Sequence, residues 1–208
     1  METTTLTPLT TIPQQFDAVK DSNERIAWIG KPALVPFIMS GLPFLIFGLL
    51  WGAFDMFFIM NLGSNMLWFA IPFFAIHMFP CYGSILNILR LMLVHGNTYY
   101  GITDKRLMLR SGFWGTDFKA IDYDKIVDLE VNVNPIENMF GVGSIRAFSG
   151  DTTSKGSRVY DTFVGVQQPY EVFKKIKEMT VDIKTDWNYP NALRPEENPG
   201  YRTKYNPK

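Results

Sequence analysis

Cysteine and histidine are scarce in this sequence, with one cysteine and two histidines among 208 residues. Cys81 therefore has no partner for a disulfide within the chain. His77 and Cys81 are four residues apart and share a helix face, but with only His95 elsewhere the ligands are too few for a metal site. We expect a fold without disulfide, metal or cofactor.

An excess of positive charge is also missing, since 20 Lys and Arg balance 20 Asp and Glu. Nucleic-acid binding usually needs a basic excess, so no nucleic-acid partner is expected. The common phosphate-loop, nucleophile-elbow and zinc-protease motifs are absent. Gly141-Val-Gly143 does not open a dinucleotide loop, because Arg146 stands where the third glycine belongs. We predict no catalytic residues and no enzyme.

Charged residues are absent from two long apolar runs, Ala33–Phe54 and Met66–Leu89. A helix of about 22 residues reaches about 33 Å, enough to cross a hydrocarbon core of about 30 Å. The sequence predicts two transmembrane helices, at about 33–58 and 66–94, joined as a hairpin by the polar link Asn61–Asn65. We expect these spans to be retained rather than cleaved as a secretory signal, because no small-residue cleavage site follows.

The positive charges near the helix ends predict an orientation. They lie before the first helix and after the second, and the link has none: Lys20, Arg25, Lys31, Arg90, Lys105 and Arg106. The positive-inside bias places both termini in the cytoplasm. We expect a multi-pass protein of the cytoplasmic membrane, with membrane lipids as one partner.

Small residues indicate how the two predicted spans pack, and aromatic residues indicate where the membrane–water interface lies. Close helix packing is predicted for three glycines on nearly one face, Gly41, Gly48 and Gly52, with a dimer contact as the alternative to packing on the second helix. Amphipathic rings predict interface positions for Trp28, Trp51 and Trp68. Asp55, one turn beyond Trp51, is interpreted as a helix-end residue in the headgroup layer, with a functional carboxylate as the alternative.

After Arg90 the hydrophobic period changes from helical to alternating. Six strands are predicted, at 98–103, 106–110, 118–121, 126–133, 143–148 and 159–164. Pro169 opens an amphipathic helix whose apolar stripe is Tyr170, Phe173, Ile176 and Met179. The pattern predicts a leader over 1–32, a membrane unit over 33–94, a domain over 95–180 and a flexible tail over 181–208 with interleaved Pro and Tyr.

The motifs of this second half resemble the bacterial pleckstrin-homology-like (PH-like) domain family. They are Tyr100-x-x-Thr103-Asp104-x-Arg106-Leu107, Gly112, the strand Ile126–Val133 and Phe140-Gly141-x-Gly143-x-Ile145. Glu24, Trp28 and Pro32 ahead of the first helix are similar to the lead-in of the membrane-anchored YdbS-like type. The resemblance covers roughly residues 24–180.

This resemblance implies an α+β fold: a barrel of about seven antiparallel strands, capped by a C-terminal helix and facing the cytoplasm. It also implies no catalytic residues. Together with the predicted anchor and the lack of a reactive constellation, this favours a non-catalytic module that localises or assembles proteins at the membrane, with a protein partner or self-association. In lipid-binding PH domains a basic first hairpin receives the headgroup, so Lys105, Arg106 and Arg110 are headgroup candidates and an anionic-lipid sensor is the alternative. A subunit of a larger membrane complex is a second alternative.

Overall fold

The computed structural model describes residues 14–188, and they divide into two compact units. One, here called the sheet unit, combines residues up to Ala33 with those from Asn97 onward; the other, the apolar unit, is Leu34–Gly96. The chain thus leaves the sheet unit after its first strand and returns for its second.

The sheet unit holds seven strands in two antiparallel sheets. The first sheet has the order β1-β2-β3-β4 and the second β5-β6-β7. Their bounds are β1 Ile26–Gly30, β2 Tyr99–Thr103, β3 Arg106–Ser111, β4 Asp117–Asp122, β5 Asp128–Asn132, β6 Val142–Thr152 and β7 Arg158–Gln167. The unit also holds the short helices α1, Gln14–Asp17, and α6, Pro135–Met139, and the long helix α7, Pro169–Asn188.

Alternation along β2 explains how the two sheets share one core. Tyr100 and Ile102 point inward and are fully buried, and the Tyr100 ring stacks on Phe163 of β7 with centroids 4.5 Å apart. The Tyr100 hydroxyl also donates to the Val164 carbonyl and accepts from its N–H. Gly101 faces the other side, where Phe16 of α1 is buried against Ile29 and Met108. A second, smaller core therefore covers the outer face of the first sheet.

The predicted closed barrel is wrong, because the seven strands form two separate sheets. The α+β class and the strand count hold, but the seventh strand is β1, which comes from the segment assigned to the leader and pairs with β2. Its alternation is only five residues long, and an apolar run follows directly. This explains why the pattern alone assigned it to a loose leader.

Helix α7 begins at Pro169 as predicted, and Ile176 and Met179 of the predicted stripe face the core, but Tyr170 does not. Its buried apolar residues are Val172, Ile176, Met179 and Ile183, whereas Tyr170 is 61% exposed and Phe173 only partly buried. The helix also continues to Asn188, so residues 181–188 are helical and not part of an extended tail. The rest of the predicted tail and the Thr-rich start of the leader lie outside the described residues.

The apolar unit holds helices α2, Leu34–Met39; α3, Leu42–Met60; α4, Leu67–His77; and α5, Phe79–Asn97, whose last residue belongs to the sheet unit. By length and composition only α3, among the described helices, could cross a membrane on its own. The segments Trp68–His77 and Phe79–Asn97 could form a second span only together, across a bend of 41°. Pro72 inside α4 and Pro80 at the start of α5 remove backbone donors at this bend. The second helix of the predicted hairpin is therefore broken into two segments.

The three glycines lie where α3 and the loop before it approach α5. A Cβ on Gly48 would come 2.6 Å from the Pro80 carbonyl oxygen, and one on Gly52 would come 2.9 Å from Cys81 Sγ. A Cβ on Gly41 would come 2.7 Å from a methyl group of Leu91. Side chains at these positions would push the helices apart, so the glycines permit the close approach.

Candidate functional site

A cluster of polar contacts, here called the clasp, ties the segment before β1 to the β2–β3 turn. The Glu24 carboxylate lies at its centre and is 2% exposed. It accepts hydrogen bonds from Arg106 Nε at 3.0 Å, Arg106 Nη2 at 2.7 Å and the Thr103 hydroxyl at 2.7 Å. The Asp21 N–H is a fourth donor, at 2.9 Å. The two carboxylate oxygens of Glu24 thus accept four hydrogen bonds in all.

The turn itself is built by the residues of the Thr-Asp-x-Arg motif. The Thr103 hydroxyl accepts from the N–H groups of Lys105 and Arg106, which closes the turn. Asp104 accepts from the Arg25 N–H at 2.9 Å, and its own N–H donates to the Arg25 carbonyl at 3.0 Å. Tyr123 donates from below to the Thr103 carbonyl. The motif thus fixes β1 beside β2.

Electrostatics in the clasp favour the charged forms of both partners. Burial alone would raise the pKa of Glu24, but the hydrogen bonds from Arg106, Thr103 and the Asp21 N–H outweigh it and lower this pKa. The hydrogen bond to Glu24 raises the pKa of Arg106. Burial raises the pKa of Tyr123 far above its ordinary value, so its hydroxyl remains a donor. The clasp is an ionised, satisfied pair and offers no group for acid–base catalysis.

The structure places the three predicted headgroup cations in two different settings. Arg106 belongs to the clasp, and Lys105 donates to Asp21 at 3.1 Å and Asn23 at 2.7 Å. Arg110 is 7% exposed, and its guanidinium lies 5.6 Å from the Tyr99 ring centroid and 5.9 Å from that of Phe118. These cations therefore do not converge on one anion site.

The hairpin that carries these cations is also not the first one. Because β1 precedes it, the first strand connection is residues 31–98, which contain the whole apolar unit. The clasp lies at the end of β2 far from this connection, about 13 Å from Tyr99 at 3.3 Å per residue. The role that the resemblance gave to a first hairpin therefore does not carry over directly to Lys105 and Arg106.

Backbone conformation requires glycine at the first position of the Gly141-x-Gly143 motif, and close packing requires it at the second. Gly141 follows α6 with a φ of +65°, a conformation that favours glycine. A Cβ on Gly143 would come 2.8 Å from a Val133 methyl group and 3.0 Å from Pro169. The two glycines thus permit the tight turn between α6 and β6.

A second polar pair, in the apolar unit, joins Asp55 of α3 to His77 at the end of α4. The Asp55 carboxylate is fully buried and lies 2.9 and 3.0 Å from His77 Nδ1. Trp51 Nε1 donates to the His77 carbonyl at 2.9 Å, and the Phe73 ring stacks on the imidazole. The pair therefore holds α3 to the bend between α4 and α5. The interpretation of Asp55 as a helix-end residue in the headgroup layer is not what the structure shows.

The predicted interface tryptophans have three different surroundings. Trp28 is 7% exposed in the core of the sheet unit, so its assignment to an interface is wrong. Its place in β1 explains the burial, because Trp28 and Gly30 face one side and the indole covers Gly30. Trp51 lies midway along α3, against His77. Trp68 is 79% exposed at the start of α4.

Sequence reasoning missed both partnerships, although each left a signal. The acids ahead of β1, Asp21 and Glu24, equal the cations of the β2–β3 turn in number and are opposite in charge. Asp55 and His77 are an acid and an imidazole beside or within otherwise uncharged runs, and such groups pair with each other when water is absent. Only the fold shows that residues more than 75 positions apart meet in the clasp.

These features describe a PH-like α+β domain, and comparison with known proteins agrees. The sequence model of the family described as Bacterial PH domain matches residues 33–180. This is more than half of the chain, which therefore belongs to the bacterial PH domain family. PH-like domains are generally non-enzymatic interaction modules. The matched segment includes the apolar unit and begins after β1.

One solved structure with similarity to the chain is the crystal structure of a DUF1696 family protein with a pleckstrin-homology domain from Shewanella loihica PV-4. Identity is 14%, the alignment covers 40% of this chain and 70% of that chain, and the TM-score is 0.31. No curated protein matches the chain. The family assignment therefore rests on the sequence match.

Proposed function

We propose that the protein is a non-catalytic interaction module, anchored in the cytoplasmic membrane by its apolar unit. The observation that carries this proposal is the pairing of β1 with β2, which puts Gly30 opposite Tyr100. The chain enters the apolar unit just after Gly30 and leaves it just before Tyr100. A bilayer-embedded apolar unit must then begin and end on the same side.

The same-side constraint supports an even number of crossings. Helix α3, with 19 residues, is about 28 Å long, close to the thickness of the hydrocarbon core. If α3 crosses, α4 and α5 together must return the chain across the membrane despite their bend. The exposed surface of α3 is apolar along its length, as lipid contact requires; examples are Leu50, Phe54 and Phe57, each more than half exposed.

The second sheet offers an open edge for a partner. Among the described strands, β5 pairs only with β6, and its other edge leaves backbone groups for an added strand. Val127, just before β5, is 68% exposed. We propose that an extended segment of a partner protein, or of a larger membrane complex, adds to this edge. Asp128 is already paired with Arg158, so Glu130 is the residue of β5 that favours a segment with some positive charge.

Recognition of anionic lipid headgroups by Lys105, Arg106 and Arg110 is the weaker proposal. Lys105 and Arg106 are already paired with acids in the clasp, which leaves them little charge to offer to a headgroup. Replacing all three with Gln should leave retention on phosphatidylglycerol vesicles unchanged. Loss of retention by a correctly folded variant would instead favour the lipid sensor.

The proposed function is tested in two steps on the full chain expressed in a bacterium. Alkaline carbonate should leave the chain in the membrane pellet; release into the supernatant would contradict the anchor. A photo-crosslinker at Val127 should then give a discrete adduct with one protein, and a crosslinker at Lys155, in the exposed β6–β7 turn, serves as the matched control. Equal adducts at both positions, or none at Val127, would contradict the β5 edge as the binding surface.

A further inference from the structure

Two aromatic side chains project into solvent from the turn between β3 and β4. Trp114 is 92% exposed and its neighbour Phe113 is 43% exposed. Their rings are 5.8 Å apart and nearly perpendicular. Adjacent exposed aromatic rings form a contiguous apolar patch, and such patches mark surfaces that contact a membrane or a partner.

The turn is shaped to present these rings. Gly112 has a φ of +150°, and a Cβ there would come 2.2 Å from the Gly115 carbonyl oxygen, so the loop is tight. Arg110 Nη2 also lies 3.5 Å from the Thr116 hydroxyl. The aromatic tip is therefore held by its own backbone and is not a loose loop.

The β3–β4 turn lies at the end of the first sheet from which the chain continues into the apolar unit. The Gly112 carbonyl accepts a hydrogen bond at 3.2 Å from Asn97 Nδ2, and Asn97 is the last residue of α5. The strand register agrees, because Tyr99, Arg110 and Phe118 lie side by side at this end of the first sheet. The turn is thus at the end of the sheet where the chain passes into the apolar unit.

We propose that the turn 112–116 is a second membrane contact, with Phe113 and Trp114 seated in the headgroup layer. The inference rests on the proposed membrane anchor and adds a surface of the sheet unit to it. Amphipathic rings favour this layer, where the indole N–H stays hydrated while the ring meets the acyl boundary.

The charges near the turn have a small net value, so the contact does not require a strongly anionic membrane. Lys31 lies at the same end, 5.0 Å from the Tyr99 ring centroid, and Arg110 is buried against that ring, whereas Asp117 follows the turn with one opposite charge. Aromatic insertion, and not charge attraction, is therefore the expected main contribution. The contact would fix the tilt of the sheet unit, which a chain connection alone leaves free, and so set the direction in which the β5 edge faces.

A depth measurement on the full chain tests the proposal. In a Cys81→Ser background, Gly115→Cys carries an NBD label, since a Cβ there meets nothing within 4 Å and both aromatics remain. Ser154→Cys is the control, because β7 places its turn about 23 Å from Gly165, whose carbonyl binds the Ala33 N–H next to the apolar unit. Both variants are reconstituted in phosphatidylcholine vesicles that contain a headgroup-attached nitroxide quencher.

We expect quenching at 115 to exceed that at 154 by about twofold or more, since only the first label lies in the headgroup layer. Adding Phe113→Ser and Trp114→Ser should reduce the difference. Equal quenching at both labels in carbonate-resistant protein would overturn the inference and leave the anchor standing. Unchanged quenching in the serine variant would overturn it too, because chain connection alone would then explain the depth. Release of the chain by carbonate would overturn both proposals.

Discussion

Replacing Glu24 with Ala should loosen β1 from the first sheet. The change removes an acceptor of four hydrogen bonds, two of them from a guanidinium. Breaking a buried ion pair costs about 3–5 kcal/mol, and the partly exposed Arg106 can recover some hydration, so about 2–3 kcal/mol is expected. At about 1.36 kcal/mol per tenfold, this corresponds to an opening equilibrium about 30- to 160-fold larger.

Hydrogen exchange of the full chain in detergent measures this effect where it arises. Peptides that cover Ile26–Gly30 should lose protection by the stated factor, whereas peptides from β6 should change little. Glu24→Gln keeps the shape and one acceptor, so it should lie between wild type and Glu24→Ala. Arg158→Gln removes a solvent-exposed ion pair with Asp128 and should leave β1 unchanged. If Glu24→Ala exchanges like Arg158→Gln, the clasp does not hold the strand.

Three further predictions concern pH and the apolar unit. The lowered pKa of Glu24 means that its carboxylate stabilises β1 above the unfolded pKa near 4.5, and that this stabilisation is lost as pH falls through the folded pKa. Protection factors of the β1 amides, which correct for the pH dependence of intrinsic exchange, should therefore fall in that acidic range and stay flat in Glu24→Gln. Gly48→Leu should lower the free energy of unfolding of the detergent-solubilised chain by about 1–3 kcal/mol through overpacking. Gly83→Ala should not, because a Cβ there makes only an ordinary contact with Phe44 at 3.8 Å; equal effects would contradict the close helix approach. Asp55→Leu should lower the free energy of unfolding by about 1–3 kcal/mol in the same assay, because it leaves His77 without its acceptor, and Asp55→Asn should retain most of the stability. An Asp55→Leu variant as stable as the wild type would mean that the pair does not hold the bend.

Much of the sheet unit was predictable because its signals are local. The β2–β3 hairpin is encoded by alternation around Asp104-Lys105, and Pro169 marks the start of α7 at a residue that cannot continue a strand. Strand β1 was not predictable in the same way. Its partner follows the apolar unit, and no pattern within Ile26–Gly30 indicates a pairing across that distance.

The candidate sites show the same limit. Composition indicated that Lys105 and Arg106 lie on a turn, but only tertiary structure shows that acids from ahead of β1 already neutralise them. Tryptophan favours interfaces on average, and this preference misassigned Trp28, which the short strand β1 carries into the core. A broken second span could be suspected from Pro72 and Pro80, since helices bend at such residues, yet their angle depends on packing that the sequence does not encode locally.

Thiol accessibility in intact cells tests the same-side anchoring most directly. In the Cys81→Ser background, single cysteines replace Ser22 ahead of β1, Gly63 in the link after α3, and Ser154 in the β6–β7 turn. A membrane-impermeant maleimide should label position 63 in intact cells, and positions 22 and 154 only after permeabilisation. Labelling of 22 and 154 from opposite sides, or of all three from one side, would contradict an apolar unit that crosses the membrane and returns.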